Sequence, residues 1–195
     1  MTPDTGISGP SRNDEPEGGL PSFAVIVPMF NEAAGAERCV REIVRALSGL
    51  RNRTMLMLVD DGSRDGTGAA LATLKREGLR FDLVTHEINR GYGAALVTGA
   101  RRAAELGLEY AVFMDSDLTN SPDDLARFAD VMGAGADVIK ATRFRGGGRM
   151  VGVPWERALI SRVGNLIARL LFRLPISDCT NGFRAVRTSR SVGSR

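Results

Sequence analysis

The chain alternates short apolar runs with segments of helical spacing, and this alternation is the feature that most constrains its fold. Five runs rich in aliphatic and β-branched residues lie at Phe23–Val27, Met55–Val59, Phe81–Thr85, Tyr110–Met114 and Asp137–Ala141. Segments with helical spacing lie between them, at about Glu32–Leu50, Gly66–Glu77, Gly93–Leu106 and Pro122–Met132. Continuous apolar runs bounded by polar turns are typical of buried parallel strands. The pattern therefore predicts an α/β fold, a sandwich of helices around a mostly parallel central sheet.

The length and hydrophobic content predict one compact domain over residues 21–187. A chain of 195 residues with 43% hydrophobic residues has the usual size of a single domain. Residues 1–20 are rich in Pro, Gly, Ser and acids, so we expect a disordered tail there, and residues 188–195 are expected to form a polar tail. The sequence contains no apolar run of 18 residues and no apolar signal segment, so we expect a cytoplasmic protein.

The net charge of +3 is unevenly distributed. The segment Lys140–Arg195 contains twelve Lys or Arg residues against two acids, Glu156 and Asp178, so it carries +10 and leaves −7 on residues 1–139. Such a basic segment indicates an anionic partner, which could be a phosphorylated substrate, an anionic membrane surface or nucleic acid. Because the sequence has no recognisable nucleic-acid-binding motif, we expect no nucleic-acid partner.

Polar clusters follow three of the predicted strands. They lie at Pro28–Glu32, Asp60–Ser63 and Asp115–Asp117. Ligands of open α/β sheets bind outside the carboxyl ends of the strands. We therefore expect the three clusters to converge on one crevice.

Asp115 and Asp117 are candidate metal ligands. Side chains at positions i and i+2 of an extended segment project to the same side, so both carboxylates can approach one cation. Two acids at the end of a buried strand repel each other and are costly to desolvate, which favours a bound cation over a plain solvated turn. Oxygen ligands suit Mg²⁺ or Mn²⁺. Zinc is not indicated, because no Cys or His pair is nearby and the single histidine, His86, is predicted to be structural.

Asp60 and Asp61 are candidate contacts to the nucleoside of a ligand. Their carboxylates can accept hydrogen bonds from a base or from ribose hydroxyls. Helix capping by Ser63 or Asp65 is an alternative explanation for part of the cluster, but it leaves the paired acids unexplained.

A glycine turn, Asn89–Ala94, opens the third predicted helix. Its backbone at Gly91 could approach phosphates, with Arg90 adding positive charge near the helix N-terminus. A plain helix-entry turn is the alternative. Leu96 occupies the position of the third glycine in a dinucleotide fingerprint, and the motif follows the third strand, so a dehydrogenase is disfavoured.

The basic segment is predicted to contain a helix at Trp155–Leu174, after a glycine-rich stretch at Arg143–Arg149. Apolar residues recur along it at helical spacing, with arginines on the other faces. A helix of this kind most often packs on the core. Trp155 and the arginines also suit an interfacial position, so peripheral contact with the cytoplasmic face of a membrane is the second interpretation.

Seven short motifs recur in an order and spacing that are specific when taken together. They are Val27–Glu32, Val59–Ser63, Asn89–Gly93, Met114–Leu118, Thr142–Phe144, Arg157–Ser161 and Asp178–Phe183. With these motifs, roughly Phe23–Val186 resembles glycosyltransferase family 2 and, within it, the dolichol-phosphate mannosyltransferase group of polyprenyl-phosphate sugar transferases.

The resemblance implies a GT-A fold, which is a Rossmann-like three-layer α/β sandwich, and a set of site residues. The resemblance implies that Pro28, Phe30, Glu32 and Asp60 line the nucleoside pocket of the donor. Together with Asp115 and with the residues suggested above, Asp61, Arg90 and Gly91, they make up the predicted donor site. The implied metal ligands for Mg²⁺ or Mn²⁺ are Asp115 and Asp117. The residues implied to hold the acceptor phosphate are Arg143, Arg157 and Ser161. Arg143 joins the two metal ligands as an implied catalytic residue.

The chain departs from the family pattern in two places. Thr119 stands where close relatives often carry a glutamine near the metal. The chain also ends soon after Gly182–Arg184, whereas relatives usually continue into helices that meet the membrane. One interpretation is a C-terminally truncated glycosyltransferase domain.

The leading functional hypothesis is an inverting, metal-dependent transfer of a sugar from a UDP- or GDP-linked donor to a polyprenyl or dolichyl phosphate. A phosphate acceptor is already anionic near neutral pH, so it needs no strong general base. One alternative is a family 2 enzyme that uses a sugar hydroxyl, with Asp178 as the base. Another is a non-catalytic module that binds anions through the basic segment.

Overall fold

The computed structural model of the chain describes residues 19–141 and 182–188. The strands are β1 (Phe23–Met29), β2 (Thr54–Asp60), β3 (Asp82–Thr85), β4 (Tyr110–Phe113), β5 (Val138–Lys140) and β6 (Arg184–Arg187). The helices are α1 (Ala36–Ser48), α2 (Thr67–Arg76), α3 (Tyr92–Glu105) and α4 (Leu125–Gly133), and a 3₁₀ turn at Pro122–Asp124 precedes α4.

The described strands form one sheet in the order β3-β2-β1-β4-β6-β5. Strands β1 to β4 are parallel, and β6 runs antiparallel to both β4 and β5. The chain first adds strands outward from β1 and then returns to the other side of β1 with β4. This reversal is the switch point at which open α/β sheets bind ligands, so the crevice is expected between the carboxyl ends of β1 and β4.

Strand β1 is central to the core because all seven of its residues are buried. Phe23, Val25 and Val27 face the layer that contains α1, α2 and α4, whereas Ala24 and Ile26 face α3. A Cβ built on Gly99 of α3 would lie 2.4 Å from Ile26 Cγ2, so the helix packs on this strand at a distance that only glycine allows. Burial on both faces explains why the sequence shows a continuous apolar run here instead of an alternating one.

The sequence predicted the described architecture well, with differences at the element ends. All five predicted strands are present, as are the four helices predicted within the described residues, and the sheet is mostly parallel as expected. The first helix starts at Ala36 instead of Glu32, because residues 31–35 form a turn over the carboxyl end of β1. Strand β6 was not predicted: it has four residues, and an arginine stands at each end, so it lacks an apolar run.

Several expectations concern residues that lie outside the described ranges. These are the disordered and polar tails, the glycine-rich stretch at Arg143–Arg149 and the helix at Trp155–Leu174. Within residues 19–141 and 182–188, none of the helices has the length and apolar content needed to cross a bilayer.

Candidate active site

A cavity of about 350 Å³ lies at the carboxyl ends of β1 and β4. Its lining residues are Pro28, Met29, Phe30, Glu32, Asp61, Asn89, Tyr92, Ala95, Asp115, Ser116 and Asp117. The three polar clusters expected to converge thus all contribute to one crevice, at the switch point of the sheet. Three further candidates from the sequence, Asp60, Arg90 and Gly91, are close in sequence to lining residues but do not themselves line the cavity.

Asp115, directly after the buried segment of β4, is held between a tyrosine and a glycine. The hydroxyl of Tyr92, the first residue of α3, donates to Asp115 Oδ1 at 2.8 Å. A Cβ built on Gly182 would lie 2.8 Å from Asp115 Oδ2, so the backbone at Gly182 packs directly against this carboxylate. The C-terminal motif that contains Gly182 is thereby part of the site, although sequence reasoning gave it no contact with Asp115.

Asp117 lies on an exposed turn two residues further on. Its Oδ1 accepts a hydrogen bond from the backbone N–H of Thr119 at 3.0 Å. Leu118 between them has a φ of 57°, in the left-handed region that non-glycine residues rarely adopt. This tight turn keeps Asp117 on the cavity wall beside Asp115.

The two aspartates fit a hard divalent cation. Each has one oxygen engaged by the chain, and within the described residues the second oxygen of each accepts no hydrogen bond. Among those residues no group of three or more His, Cys, Asp or Glu side chains is placed to hold a metal. Two carboxylates would therefore supply part of an oxygen shell and leave positions open to ligand oxygens and water, as is usual for Mg²⁺ and similar ions.

Burial and the acids of the cavity together raise the pKa values of two neighbouring side chains, Tyr92 and Cys39. Burial, together with the hydrogen bond to Asp115, raises the pKa of Tyr92 to about 12, so Tyr92 donates as a neutral phenol. Burial, together with the charges of Glu32 and Asp117, raises the pKa of Cys39 to about 12, so Cys39 remains a thiol. A concentrated negative field of this kind favours the binding of a cation.

Asp61 lines the cavity, but the chain itself occupies both of its carboxylate oxygens. Oδ1 accepts from the backbone N–H of Arg90 at 2.9 Å, and Oδ2 accepts from that of Gly91 at 2.8 Å. His86 Nδ1 lies 2.6 Å from Oδ1 in a pair that is almost fully buried. Burial raises the pKa of Asp61, but the bonds from His86, Arg90 and Gly91 outweigh it and hold the pKa below its usual value. Asp61 thus anchors the glycine turn at the edge of the cavity.

His86 connects this anchor to α3. Since the Asp61 carboxylate only accepts, Nδ1 of His86 carries the proton, and Nε2 lies 3.0 Å from the hydroxyl of Thr98. Sequence reasoning did not find this pair, although strand register could have indicated it: Asp60 pairs with Thr85, so the next residue of each strand is a neighbour. The turn is packed tightly, since a Cβ on Gly62 would lie 2.5 Å from the carbonyl carbon of Ile88.

Hydrogen bonds from backbone N–H groups to side-chain oxygens connect the loops that follow β1 and β2. Four cross-links join them: Ser63 Oγ accepts from Asn31 N, Thr67 Oγ1 from Glu32 N, Asp65 Oδ2 from Ala33 N and Asn31 Oδ1 from Arg64 N. The distances lie between 2.8 and 3.0 Å. The N-cap of α2 is Gly66, so the prediction that Ser63 or Asp65 caps this helix is wrong. The two side chains instead fix the loop that carries Phe30 and Glu32.

The remaining site residues from the sequence lie outside the described ranges. These are Arg143, Arg157 and Ser161, expected at the acceptor phosphate, and Asp178, the base of the alternative hypothesis. Tyr92, Asn89 and Gly182 are site residues to which sequence reasoning gave no role of their own.

A family model described as "Glycosyl transferase family 2" matches residues 24–191, which is most of the chain. The chain belongs to glycosyltransferase family 2. Two curated relatives support this membership. The polyprenol monophosphomannose synthase of Mycolicibacterium smegmatis is 34% identical over 164 residues, which cover 84% of this chain and 60% of that protein. The undecaprenyl-phosphate mannosyltransferase of Micrococcus luteus is 32% identical over 165 residues, which cover 83% and 65%. This family 2 chain thus spans less than two thirds of the length of these relatives.

Solved structures give the same fold for the family 2 chain. A mannosyltransferase from Pyrobaculum calidifontis, in complex with GDP-Man and Mn²⁺, matches with a TM-score of 0.51 and 29% identity over 63% of this chain and 36% of that one. Glucosyl-3-phosphoglycerate synthase from Mycobacterium tuberculosis matches with a TM-score of 0.60 over 87% of this chain and 56% of that one, and at 22% identity it supports the fold alone. The expected GT-A fold is confirmed.

Proposed function

We propose that this chain transfers a sugar from a nucleotide-sugar donor to a polyprenyl phosphate, with inversion at the anomeric carbon and with a divalent cation. The observation that carries the proposal is one cavity at the switch point of a family 2 sheet, where an exposed aromatic residue and two metal-competent aspartates share a wall. The named relatives are polyprenol-phosphate mannosyltransferases, which points to mannose and a lipid phosphate as the first substrates to try.

The donor is proposed to lie with its nucleoside at the β1 and β2 loops and its diphosphate at the aspartates. Phe30 is 45% exposed on the cavity wall and offers a face for the base. Pro28 and Glu32 also line the cavity, and Asp60 is the buried last residue of β2, beside the lining residue Asp61. The hydrogen bonds between the two loops fix the backbone that carries Phe30 and Glu32 before any ligand binds, which lowers the entropy lost on binding.

The diphosphate end of the donor site is proposed to use the glycine turn and the aspartates. Asp61 fixes Arg90 and Gly91 through their backbone N–H groups and so sets the shape of the cavity edge. Asp115 and Asp117 would hold Mg²⁺ or Mn²⁺. A bound divalent cation neutralises the charge that grows on a leaving diphosphate.

The acceptor supplies the nucleophile in this proposal. An oxygen of the lipid phosphate forms a bond to the anomeric carbon while the bond from that carbon to the diphosphate breaks, and the electron pair leaves with the nucleoside diphosphate. Since the attacking oxygen is already anionic, no protein base has to remove a proton. Arg143, Arg157 and Ser161 are proposed to hold the acceptor phosphate, because arginine binds phosphate oxygens through paired, charge-assisted hydrogen bonds. A cytoplasmic location with peripheral membrane contact would bring the chain to a lipid acceptor.

The proposal is tested by calorimetry and by a transfer assay. GDP-mannose and UDP-sugars are titrated into the wild type with Mn²⁺, with Mg²⁺ and with EDTA, and then into Asp117→Asn. Asp123→Asn is the matched control, since Asp123 is an exposed acid in the same loop region that pairs with Arg45 and does not line the cavity. We expect binding that requires the cation and that is lost only in Asp117→Asn.

The transfer assay separates the acceptors. Purified chain with Mn²⁺ is given one donor and either a short polyprenyl phosphate or a sugar with free hydroxyls. Transfer to the lipid phosphate supports the proposal. Transfer to a sugar hydroxyl alone would replace it with the polysaccharide-type reaction. In the calorimetry, donor binding that is unchanged by EDTA and by both Asp117→Asn and Asp123→Asn would remove the metal from the mechanism.

A further inference from the structure

One arginine near the aspartates, Arg184, forms no ion pair with an acid of the described residues. Arg184, the first residue of β6, is partly buried, and no carboxylate of the described residues lies within 4.0 Å of its guanidinium. We propose that Arg184 binds a phosphate oxygen of the substrates at this site, a role that rests on the proposed function. Neither the sequence motifs nor the acceptor residues discussed above include it.

The fold places Arg184 next to Asp115. Arg184 pairs with Phe113 across the β4 and β6 ladder, and Phe113 is two residues before Asp115. Its guanidinium carbon lies 5.0 Å from the centroid of the Phe113 ring, and Nη1 donates to the carbonyl of Gly182 at 3.5 Å. Gly182 in turn packs against the Asp115 carboxylate. The segment from residue 182 to residue 184 therefore runs along the metal-competent wall.

The positive charge of Arg184 also affects Tyr92, which is hydrogen-bonded to Asp115. Burial and the Asp115 hydrogen bond raise the pKa of Tyr92, and the positive charge of Arg184 opposes this rise. The Tyr92 hydroxyl is itself 2.8 Å from Asp115. Arg184 is not one of the cavity's lining residues, so its guanidinium would leave the Phe113 ring to reach a phosphate in the cavity.

The described lining residues of the cavity supply no cation of their own. They include four acids, Glu32, Asp61, Asp115 and Asp117, and no Lys or Arg. A diphosphate or a phosphate monoester entering this cavity would meet net negative charge. One divalent ion bound to two aspartates offsets their charge but not that of the substrate. The contacts that hold Arg184, one ring face and one long hydrogen bond, are weak enough to be exchanged for a phosphate oxygen.

Arg187 on the same strand provides the contrast. Its guanidinium carbon lies 4.6 Å from the Tyr110 ring, as Arg184 lies over Phe113. Arg187, however, pairs with Asp137 at 3.1 Å and with Glu109 at 3.7 Å. The arginine at the far end of β6 is thus neutralised by the fold, whereas the arginine at the cavity end is left for a ligand.

The experiment compares Arg184→Met and Arg184→Gln with the control Arg187→Met. Both Arg184 variants remove the charge, and Met keeps an apolar stem on Phe113, so either variant that folds carries the test. Titration with GDP or UDP in Mn²⁺ measures the donor diphosphate, and the KM for a short polyprenyl phosphate measures the acceptor phosphate. We expect a loss of about tenfold to a hundredfold in one of these for Arg184, and a change below about twofold in both for Arg187→Met.

The outcomes identify the source of the phosphate. Weaker GDP or UDP binding assigns Arg184 to the donor diphosphate, and a raised KM with unchanged nucleotide binding assigns it to the acceptor. Arg184 variants that match Arg187→Met in both measurements overturn the proposal. If the wild type binds neither nucleotide, the proposed function fails, and titration with inorganic pyrophosphate decides on Arg184 separately: a tenfold weaker affinity in the variants supports it, and equal or undetectable binding overturns it.

Discussion

Two pairs of acids lie at the carboxyl ends of strands of the same sheet, and they differ in burial and in hydrogen bonding. Asp60 and Asp61 after β2 are 4% and 2% exposed. Asp61 accepts hydrogen bonds from two backbone N–H groups and lies against His86, while Asp60 accepts from Ser63 N at 3.0 Å. Asp115 is only partly buried and Asp117 is exposed, and each accepts a single hydrogen bond from the part of the chain that the structure describes. Asp61 therefore fixes the turn at the cavity edge, whereas the second pair has carboxylate oxygens available to coordinate a ligand.

The difference teaches that residue type and position do not by themselves identify a ligand-binding acid. Both pairs stand at carboxyl ends of strands that neighbour β1. Asp61 is separated from Asp115 and Asp117 by the three hydrogen-bond contacts that it makes with the chain. Asp60 accepts one bond, as Asp115 and Asp117 do, and differs from them in being buried. A carboxylate saturated by internal donors stabilises the fold, whereas one with unused oxygens at a cavity wall can coordinate a cation.

The largest expected effect comes from Asp115→Asn. The change removes a charge that is proposed to hold the cation, so we expect a loss of about a thousandfold in sugar transfer, equivalent to several kcal/mol of transition-state stabilisation. The free energy of unfolding should change by less than about 1 kcal/mol, because the asparagine oxygen can still accept from Tyr92. Steady-state transfer rates and urea denaturation measure the two quantities.

A large loss of stability in Asp115→Asn would break the comparison, since it would place this acid with the structural pair. Asp124→Asn serves as the control. Asp124 lies at the end of the 3₁₀ turn, outside the cavity, and it should leave both the rate and the stability near the wild-type values.

Asp61→Asn should lower the stability of the fold, which Asp115→Asn is expected to leave nearly unchanged. The amide keeps only one acceptor oxygen, so its NH₂ group would face one of the donors that the carboxylate accepts from, at a side chain that is only 2% exposed. We expect the free energy of unfolding to fall by about 2–3 kcal/mol. Urea denaturation of Asp61→Asn beside Asp115→Asn measures the contrast, and equal stabilities of the two variants would contradict it.

The sequence indicated the fold and the location of the site but not this division of roles. Apolar runs such as Tyr110–Met114 are strong signals for buried strands, and acids placed after them indicate the ligand-binding edge. The role of Asp61 depends on the register of β2 with β3, which brings His86 beside it, and on a turn that directs the Arg90 N–H at it. These relations depend on tertiary geometry, so no short motif reveals them. Tyr92 escaped notice for the same reason.

Gly182→Ala should sharpen the comparison at the metal-competent pair. The new Cβ would lie 2.8 Å from Asp115 Oδ2, and the carboxylate would have to turn away. We expect the affinity for Mn²⁺, measured by calorimetry in the presence of GDP, to fall by about tenfold, which is 1.4 kcal/mol. Gly133→Ala is the matched control, since a Cβ there meets no atom within 4 Å. Equal Mn²⁺ affinity in both variants would show that the carboxylate orients freely.

The smallest effect should appear in the pH dependence of stability. Because the folded protein holds the pKa of Asp61 below its ordinary value of 3.8, the carboxylate contributes stability above that value and loses it as the pH falls toward the folded pKa. The stability difference between the wild type and Asp61→Asn should therefore shrink as the pH falls below about 4, where the aspartate of the unfolded chain takes up its proton. Urea denaturation at intervals from pH 3 to pH 7 measures it. A stability difference that grows on acidification would contradict this expectation. It would mean that burial raises the pKa of Asp61 by more than the three hydrogen bonds lower it, so that the folded protein destabilises the ionised carboxylate.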